Sequence, residues 1–312
     1  MTAKSVAVSI GMPVYNGEKY LRAALDCFLH QTFSDFELII SDNASMDATE
    51  AICRDYAARD RRIHYFRNTK NIGAAKNFNR VLALASGKYF KWASHDDLHE
   101  PDYLERCVSV LDRDPSVVLC NSKTQYVDSK GVRISLENDA DAPVTASEVC
   151  ALDDPAARLS SPRACRRFSD ILTTPLACVD IFGLSRSDVL KSTSGLGPYF
   201  GSDRVLLAEL ALRGRIYHVP AYLFSWRNHV DQATRQDAMS RQRRHGNPND
   251  RKLPRFRFLP GYCRALWKVP LPLTERLLCH VALFKHYALQ ALSRCGGMWR
   301  SKAAAAAPAD IA

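Results

Sequence analysis

The fold is decided by the opening stretch of the chain, residues 5–17, which reads Ser-Val-Ala-Val-Ser-Ile-Gly-Met-Pro-Val-Tyr-Asn-Gly. Its first eight residues are β-rich and largely apolar, and Pro13 and Gly17 then break the run. After Gly17 the apolar residues recur at the three- and four-residue spacing of a helix, beginning with Leu21 and Leu25. This stretch therefore predicts a strand that passes through a short loop into an amphipathic helix.

The same strand-then-helix pattern recurs through the first 120 residues. Further strands are predicted at 36–41, 63–66, 88–93 and 117–120, with helices between them. This alternation predicts an α/β fold with a mostly parallel sheet, helices on both faces and right-handed crossovers. Ligands bind beyond the carboxyl ends of the strands in such sheets. Polar pairs follow three of the strands, namely Tyr15 with Asn16, Asp42 with Asn43, and Asp96 with Asp97.

The net charge of +10 is confined to the end of the chain. Residues 1–234 contain 28 Lys or Arg and 29 Asp or Glu, whereas residues 235–302 contain 15 and 3. A uniformly basic protein would indicate a nucleic-acid or membrane partner. Here the first three quarters are electrically balanced, so the charge carries no information about chemistry in that part.

Targeting signals and cysteine motifs are both missing. No apolar stretch of signal-peptide length precedes the first strand, and no run of about 18 apolar residues predicts a spanning helix. None of the ten cysteines forms a Cys-x-x-Cys pair, which disfavours a zinc ribbon or a redox site. We expect a cytoplasmic protein whose cysteines serve as small apolar residues.

The adjacent carboxylates of Asp96 and Asp97 are the most informative polar feature. Two acids side by side at a strand end repel each other unless a cation or a basic group lies nearby. Oxygen ligands of this kind suit Mg²⁺ or Mn²⁺ that also binds substrate phosphates, although a solvated loop is the simpler alternative. Asp42, after the second strand, can accept hydrogen bonds from a base or a ribose, or can start an Asx-turn.

Two common nucleotide-binding motifs do not occur. The first strand is followed by Pro-Val-Tyr-Asn-Gly rather than by Gly-x-Gly-x-x-Gly, and no Walker A sequence is present. A nicotinamide dehydrogenase and a P-loop NTPase are therefore disfavoured.

Several segments in this order resemble the nucleotide-sugar domain of family 2 glycosyltransferases. The resemblance is dense over residues 5–130 and looser to about residue 235. It rests on residues 9–21, Gln31-Thr-Phe, residues 37–47, Asn71-Ile-Gly and Trp92-Ala-Ser-His-Asp-Asp. It implies a GT-A fold and an inverting, metal-dependent hexosyltransferase-type reaction of a nucleotide-diphosphate sugar, most commonly a UDP-sugar. The implied partners are that donor and a glycan or lipid-linked acceptor, as in cell-envelope or polysaccharide synthesis.

The resemblance also implies roles for individual residues. Asp42 would hydrogen-bond the base, Asp96 would face the ribose, and Asp97 would bind Mn²⁺ or Mg²⁺ bridging the diphosphate. His95 stands where a strict Asp-x-Asp motif has its first acid, which leaves the division of labour between Asp96 and Asp97 open. The other residues implied to contact the nucleotide are Pro13, Tyr15, Asn16, Asn71, Gly73 and Lys76.

The remaining implied residues lie later in the chain. Asp203, just before a predicted helix, is the candidate general base, with a helix N-cap as the alternative. Arg227 and His229 are the candidates for binding the diphosphate, and surface positions are their alternative.

The predicted organisation has three parts. Residues 1–234 form the catalytic domain, with a donor half at 1–130 and an acceptor half at 131–234, in which an extended run at 216–224 is interrupted at Pro220. Residues 235–302 form a basic, helical segment, and residues 303–312 a disordered end.

Basic and aromatic residues mixed over 241–257, followed by an amphipathic stretch, predict either attachment to the anionic inner face of a membrane or packing on the catalytic domain. Two alternatives to an enzyme stay open: a non-catalytic nucleotide-sugar-binding protein, and nucleic-acid binding through the basic segment, which the balanced catalytic part disfavours.

Overall fold

The computed structural model describes residues 6–134, 159–173, 179–230 and 256–305, with the backbone alone for 293–305. Strands and helices alternate through the first half of the chain, as the sequence predicts. The strands are β1 (Val8–Val14), β2 (Phe36–Asp42), β3 (Ile63–Arg67), β4 (Tyr89–Trp92), β5 (Leu98–His99), β6 (Val117–Val127), β7 (Arg133–Ile134), β8 (Leu184–Arg186) and β9 (Arg215–Arg227). The helices are α1 (Leu21–Leu29), α2 (Thr49–Arg59), α3 (Ala74–Leu84), α4 (Tyr103–Arg113), α5 (Ala164–Thr173), α6 (Ser187–Lys191), α7 (Ser202–Arg213), α8 (Leu259–Lys268) and α9 (Leu273–Ala305).

The strands of the described residues form one sheet of order β3-β2-β1-β4-β8-β6-β9-β5, with β7 paired to β6. Pairing is parallel between β1 and β2, β1 and β4, β2 and β3, and β6 and β9. The short strands β5, β7 and β8 pair antiparallel with their neighbours. The predicted α/β fold is confirmed, and the sheet is mostly parallel by length of pairing, because each antiparallel pair involves a strand of only two or three residues.

Helices cover both faces of the sheet. Val8, Ile10 and Met12 of β1 are buried in one core together with residues of α1, α2 and α4. The opposite face is so close to α3 that a Cβ on Gly11 would lie 2.7 Å from the side chains of Phe90 and Val81. A strand buried on both faces has no solvent side, which explains why its apolar run is nearly continuous.

The second core lies under helices from the later part of the chain. Residues of α3, α5, α7, α8 and α9 share this core, and α7 is buried on almost every side. Cys279 and Leu283 of α9 are buried in it, so α9 packs on the rest of the molecule. No helix among the described residues is long and apolar enough to span a membrane.

Two prolines show how strands accommodate a missing N–H group. Pro13 lies inside β1 rather than ending it, so the predicted break there is wrong. Because β4 pairs only with Val8–Gly11, Pro13 lies where β1 has a neighbour on one side alone. The interruption predicted at Pro220 is a bulge, since the register of β9 with β6 shifts between Val219 and Tyr222.

The end of the chain is described only in part. The disordered end is expected from residue 303, and α9 extends to Ala305. Alanine has the highest helix propensity and extends a helix that is already formed. Residues 135–158, 174–178, 231–255 and 306–312 lie outside the described residues, and the third of these ranges contains the first 21 residues of the basic segment. The boundaries at 130/131 and 234/235 stay predictions.

Candidate active site

The candidate site lies where the loops after β1, β2 and β4 meet at the carboxyl edge of the sheet. Hydrogen bonds join the loop after β1 to the loop after β2 and to the start of α2. The Asn16 N–H donates to Ser45 Oγ at 2.9 Å, and the Met46 N–H donates to Asn16 Oδ1 at 2.9 Å. The Gly17 N–H donates to Thr49 Oγ1 at 2.8 Å. Asn16 adopts a positive φ of 50°, which asparagine tolerates better than most residues.

Pro13 and Tyr15 line this corner from β1. Pro13 is buried, whereas the Tyr15 ring is exposed to solvent at the mouth of the loop. An exposed aromatic ring at a strand end offers a surface on which a base can stack.

Asp42, the last residue of β2, is wholly buried. Its Oδ1 accepts the Ser45 N–H at 2.9 Å and its Oδ2 accepts the Tyr65 hydroxyl at 2.8 Å. The Arg67 guanidinium lies 3.6 Å from Oδ2. In this conformation Asp42 holds the loop after β2 in an Asx-type turn, which is the alternative that the sequence left open. Direct contact of Asp42 with a base stays a prediction.

The segment before α3 is held by asparagine side chains. Asn43 donates from Nδ2 to Asn71 Oδ1 at 2.8 Å, and its Oδ1 accepts the Ile72 N–H at 2.9 Å. Asn71 Oδ1 also accepts the Gly73 N–H, and Gly73 has a φ of 85°, a conformation that favours glycine. Lys76 is exposed in the first turn of α3. The predicted nucleotide-side residues Asn71 and Gly73 are therefore joined to the loop after β2.

Asp96 and Asp97 occupy the loop after β4 and are held by residues at the end of β9. Asp97 is buried, and its Oδ1 accepts the Arg227 backbone N–H at 2.9 Å. Asp96 Oδ2 lies 2.9 Å from His229 Nε2, and its Oδ1 accepts the Ser94 hydroxyl. The structure thus brings together four predicted residues that are about 130 positions apart in the chain.

The two carboxyl groups differ in acidity. Burial acts to raise the pKa of Asp96, but the neighbouring His95 and hydrogen bonds from His229 and Ser94 outweigh it, so the pKa falls below its usual value. Burial and the adjacent Asp96 charge raise the pKa of Asp97 well above its usual value, despite the Arg227 N–H. A cation beside Asp97 would favour its ionised form.

The Arg227 side chain contacts two loops of the site, and its binding of a diphosphate stays a prediction. Its guanidinium is buried, with 4% of the residue exposed, and donates to the backbone oxygens of Asp96, Ser129 and Asp128. The guanidinium carbon lies 4.9 Å from the Tyr20 ring centroid. Because these groups surround it, Arg227 in this conformation holds two loops together.

Tyr20, Tyr65 and Ser94 are site residues that the sequence reasoning missed. The Tyr20 ring packs against both Arg227 and the His229 ring, whose centroid is 4.7 Å away. Tyr20 lies within the quoted segment 9–21, but no spacing rule connects a residue before α1 with the end of β9. Gly17 was the signal that the sequence did contain for a close contact in this loop. The structure explains it, because a Cβ at Gly17 would lie 2.8 Å from the His95 ring.

Asp203 lies at the start of α7 and is partly buried. Its Oδ1 accepts the Arg204 N–H at 2.9 Å, and it forms no hydrogen bond to the Asp96–Asp97 pair within the described residues. Burial raises the pKa of Asp203 above its usual value, which makes the carboxylate a stronger base. Its role as a general base stays a prediction.

The Asp96–Asp97 loop suits a divalent cation that is shared with a substrate. No group of three or more His, Cys, Asp or Glu side chains in the described part of the chain is arranged to hold a metal alone. Asp97 Oδ2, however, accepts no hydrogen bond from the described residues. The atoms that would bind the cation are carboxylate oxygens. Mg²⁺ and Mn²⁺ are commonly held by one or two carboxylates, with waters and substrate phosphates completing the shell.

Comparison with known proteins places this geometry in a family. Residues 9–169 match the model of glycosyl transferase family 2. An uncharacterized glycosyltransferase of Rickettsia typhi is 35% identical over 127 residues, which are 40% of this chain and 39% of that protein. The chain thus spans well under half the length of that relative.

Two solved structures share the fold at low sequence identity. Staphylococcus aureus TarS 1–349 in complex with UDP-GlcNAc has a TM-score of 0.54 and 17% identity, over 90% of this chain and 88% of that chain. The mannosyltransferase PcManGT of Pyrobaculum calidifontis, in complex with GDP-Man and Mn²⁺, has a TM-score of 0.54 and 16% identity, over 96% and 84%. Since the family model matches more than half of the chain and includes the loops described above, this protein belongs to glycosyl transferase family 2.

Proposed function

We propose that this protein transfers a sugar from a nucleoside-diphosphate sugar, a UDP-sugar in the first instance, to a hydroxyl of a glycan or lipid-linked acceptor, with inversion. The observation that carries the proposal is that the loops after β1, β2 and β4 lie at one edge of the sheet, with Gly17 packed against His95 and with the Asp96–Asp97 pair held by residues at the end of β9. The family membership supports sugar transfer. The UDP-GlcNAc and GDP-Man complexes of TarS and PcManGT concern those proteins and support a nucleotide-sugar donor here.

The donor nucleotide would lie between the loop after β1 and the start of α3. Tyr15 offers an exposed ring for the base, and the loop after β2, held by Asp42, forms the floor. Asp96, already fixed by His229 and Ser94, is available to accept hydrogen bonds from the ribose. These rigid contacts would position the donor before reaction.

Asp97 would hold Mn²⁺ or Mg²⁺ through Oδ2, which accepts no hydrogen bond from the described part of the chain, with Asp96 beside it. When bound, such a cation supplies positive charge that stabilises the leaving nucleoside diphosphate. Arg227 contributes indirectly, since it keeps the backbone of this loop in place.

Asp203 would accept the proton of the acceptor hydroxyl. The hydroxyl oxygen then forms a bond to C1 of the sugar while the bond from C1 to the diphosphate oxygen breaks. The electron pair of that bond leaves with the nucleoside diphosphate. A single displacement of this kind inverts the anomeric carbon.

The donor site is tested by titrating a panel of UDP-, GDP- and dTDP-sugars with and without Mn²⁺, using thermal shift and calorimetry. We expect one nucleotide class to stabilise the protein in a Mn²⁺-dependent manner. Asp97→Asn should lose that dependence, because it removes the charge that binds the cation. Asp102→Asn, a substitution at the surface pair with Arg106, is the matched control and should bind as the wild type does. Equal Mn²⁺-dependent binding by Asp97→Asn would contradict the assignment.

The catalytic step is tested with Asp203→Asn. We expect donor binding to persist and turnover to fall by about 10²- to 10⁴-fold, the usual contribution of a general base. Unchanged turnover would show that another group accepts the proton. Donor binding by the wild type with no transfer to any hydroxyl acceptor would favour a non-catalytic nucleotide-sugar-binding protein.

A further inference from the structure

The helix α9 has apolar side chains on two opposite faces. One face carries Cys279 and Leu283, which are buried against the second core. The other carries a continuous exposed stripe at the helical spacing of three and four residues. It consists of Leu273, Leu277, Val281 and Phe284, and Leu292 lies eight residues further along the helix. At 3.6 residues per turn, the stripe points away from the docked face.

This stripe is larger than scattered surface apolar residues would explain. Phe284 is 75% exposed, and the neighbouring helix α8 adds Trp267, which is 69% exposed. The Arg276 guanidinium lies 5.4 Å from the Trp267 ring centroid, so the tryptophan borders α9. A helix of a soluble domain normally presents polar residues on its outward face. A contiguous exposed apolar surface of this kind marks an interaction site.

The exposed charged side chains of α8 and of the described part of α9 are basic. They are Arg264, Lys268 and Lys285, of which Lys268 also lies 3.5 Å from Glu209. Glu275 is the only acidic residue between positions 251 and 309, and it is engaged by Arg163 at 3.1 Å and by the Cys165 N–H at 2.8 Å. A second copy of the chain placed on this surface would bring cations against cations. An anionic surface would meet complementary charge.

We propose that α8 and α9 lie on an anionic lipid bilayer, with the stripe and Trp267 inserted at the level of the headgroups and the cations contacting lipid phosphates. Tryptophan is enriched at the boundary between membrane and water, and lysine and arginine beside an apolar face bind anionic lipids. The described contacts hold α9 on the catalytic part through Cys279, Leu283 and Glu275, so attachment would place the enzyme body at the surface of the bilayer. This surface is separate from the candidate active site and does not depend on the proposed reaction.

Co-sedimentation of the full chain with vesicles tests the proposal. Vesicles of phosphatidylcholine are compared with vesicles that also contain phosphatidylglycerol. We expect binding to the anionic vesicles, weakened by salt, and little binding to the neutral ones. Val281→Asp should weaken binding about tenfold or more, because a charge replaces an exposed aliphatic side chain that would insert into the bilayer.

Matched controls separate the surface from general effects. Val132→Asp makes the same change at an exposed valine in the turn before β7, with 60% of the residue exposed against 48% for Val281, and should bind vesicles as the wild type does. Lys285→Glu should weaken binding to anionic vesicles about fivefold, whereas Lys130→Glu should not. Circular dichroism confirms that each variant is folded.

Three outcomes would overturn the proposal. The first is failure of the wild type to bind anionic vesicles. The second is equal binding by Val281→Asp and Val132→Asp. The third is a dimer in light scattering that Val281→Asp dissociates, with no vesicle binding, which would assign the stripe to self-association. Nucleotide-sugar titration of the same variants is a separate measurement, so failure of lipid binding leaves the proposed function untouched.

Discussion

The buried Arg227 side chain allows the loop-holding role to be distinguished from a diphosphate-binding role. The perturbation is Arg227→Ala. Its guanidinium donates to Asp96 O at 2.7 Å, Ser129 O at 3.1 Å and Asp128 O at 3.3 Å, so two bonds have good geometry and one is long. The backbone N–H that binds Asp97 remains in the variant.

The magnitude follows from these bonds. A hydrogen bond that involves a charged group contributes about 1.5–3 kcal/mol to the free energy of unfolding, and the carbonyls left behind would be partly hydrated by entering water. We therefore expect Arg227→Ala to lower that free energy by about 3–5 kcal/mol, a large share of the 5–15 kcal/mol of a typical domain. The control Arg106→Ala removes an exposed ion pair with Asp102 and should lower the free energy of unfolding by about 0.5 kcal/mol.

Urea unfolding followed by tryptophan fluorescence measures both variants, and calorimetry measures donor binding in parallel. If Arg227 holds the loops, the stability loss is large and donor binding weakens through disorder of the Asp96–Asp97 loop. A stability within about 1 kcal/mol of the control, together with a large loss of diphosphate affinity, would refute this reasoning. Arg227 would then be a ligand of the donor, as the sequence suggests.

Two further predictions concern buried positions near the site. Burial lowers the pKa of Lys91 to about 7, so between pH 7 and its ordinary 10.5 the unfolded chain binds a proton that the folded chain does not, and stability should rise with pH. In the Lys91→Met variant, the increase in the free energy of unfolding over this pH range should be smaller by about 2–4 kcal/mol, measured by urea unfolding. The same pH dependence in the wild type and the variant would contradict this prediction. Gly17→Ala places a Cβ 2.7 Å from Val14 Cγ2 and 2.8 Å from the His95 ring. Gly17→Ala should lower the free energy of unfolding by about 1–3 kcal/mol, measured by thermal unfolding. An unchanged Tm would show that the loop adjusts freely.

Much of the fold was predictable because it rests on local patterns. The strand–helix alternation of the first 120 residues and the position of Asp96 and Asp97 after β4 follow from periodicity within short windows. Because β1 pairs in parallel with both β2 and β4, the three polar pairs that follow these strands lie at one edge of the sheet, as expected.

The features that local patterns do not report arise where a residue's partner is distant in the chain. Pro13 stays inside β1 because β4 ends its pairing at Gly11, which no local signal reports. Asp42 is buried because Tyr65 and Arg67 of β3 reach it. Lone arginines are commonly exposed, but Arg227 is enclosed by loops around residues 96 and 128.

By itself, the sequence of this protein determined the class of fold, the family resemblance and the acidic pair at the end of a strand. These depend on the order and spacing of neighbouring residues. The tertiary structure alone decided which polar groups are buried, which of them hold loops, and which face of α9 is left exposed. These depend on contacts between segments up to about 130 residues apart, whose hydrogen bonds and packing exist only after the chain has folded.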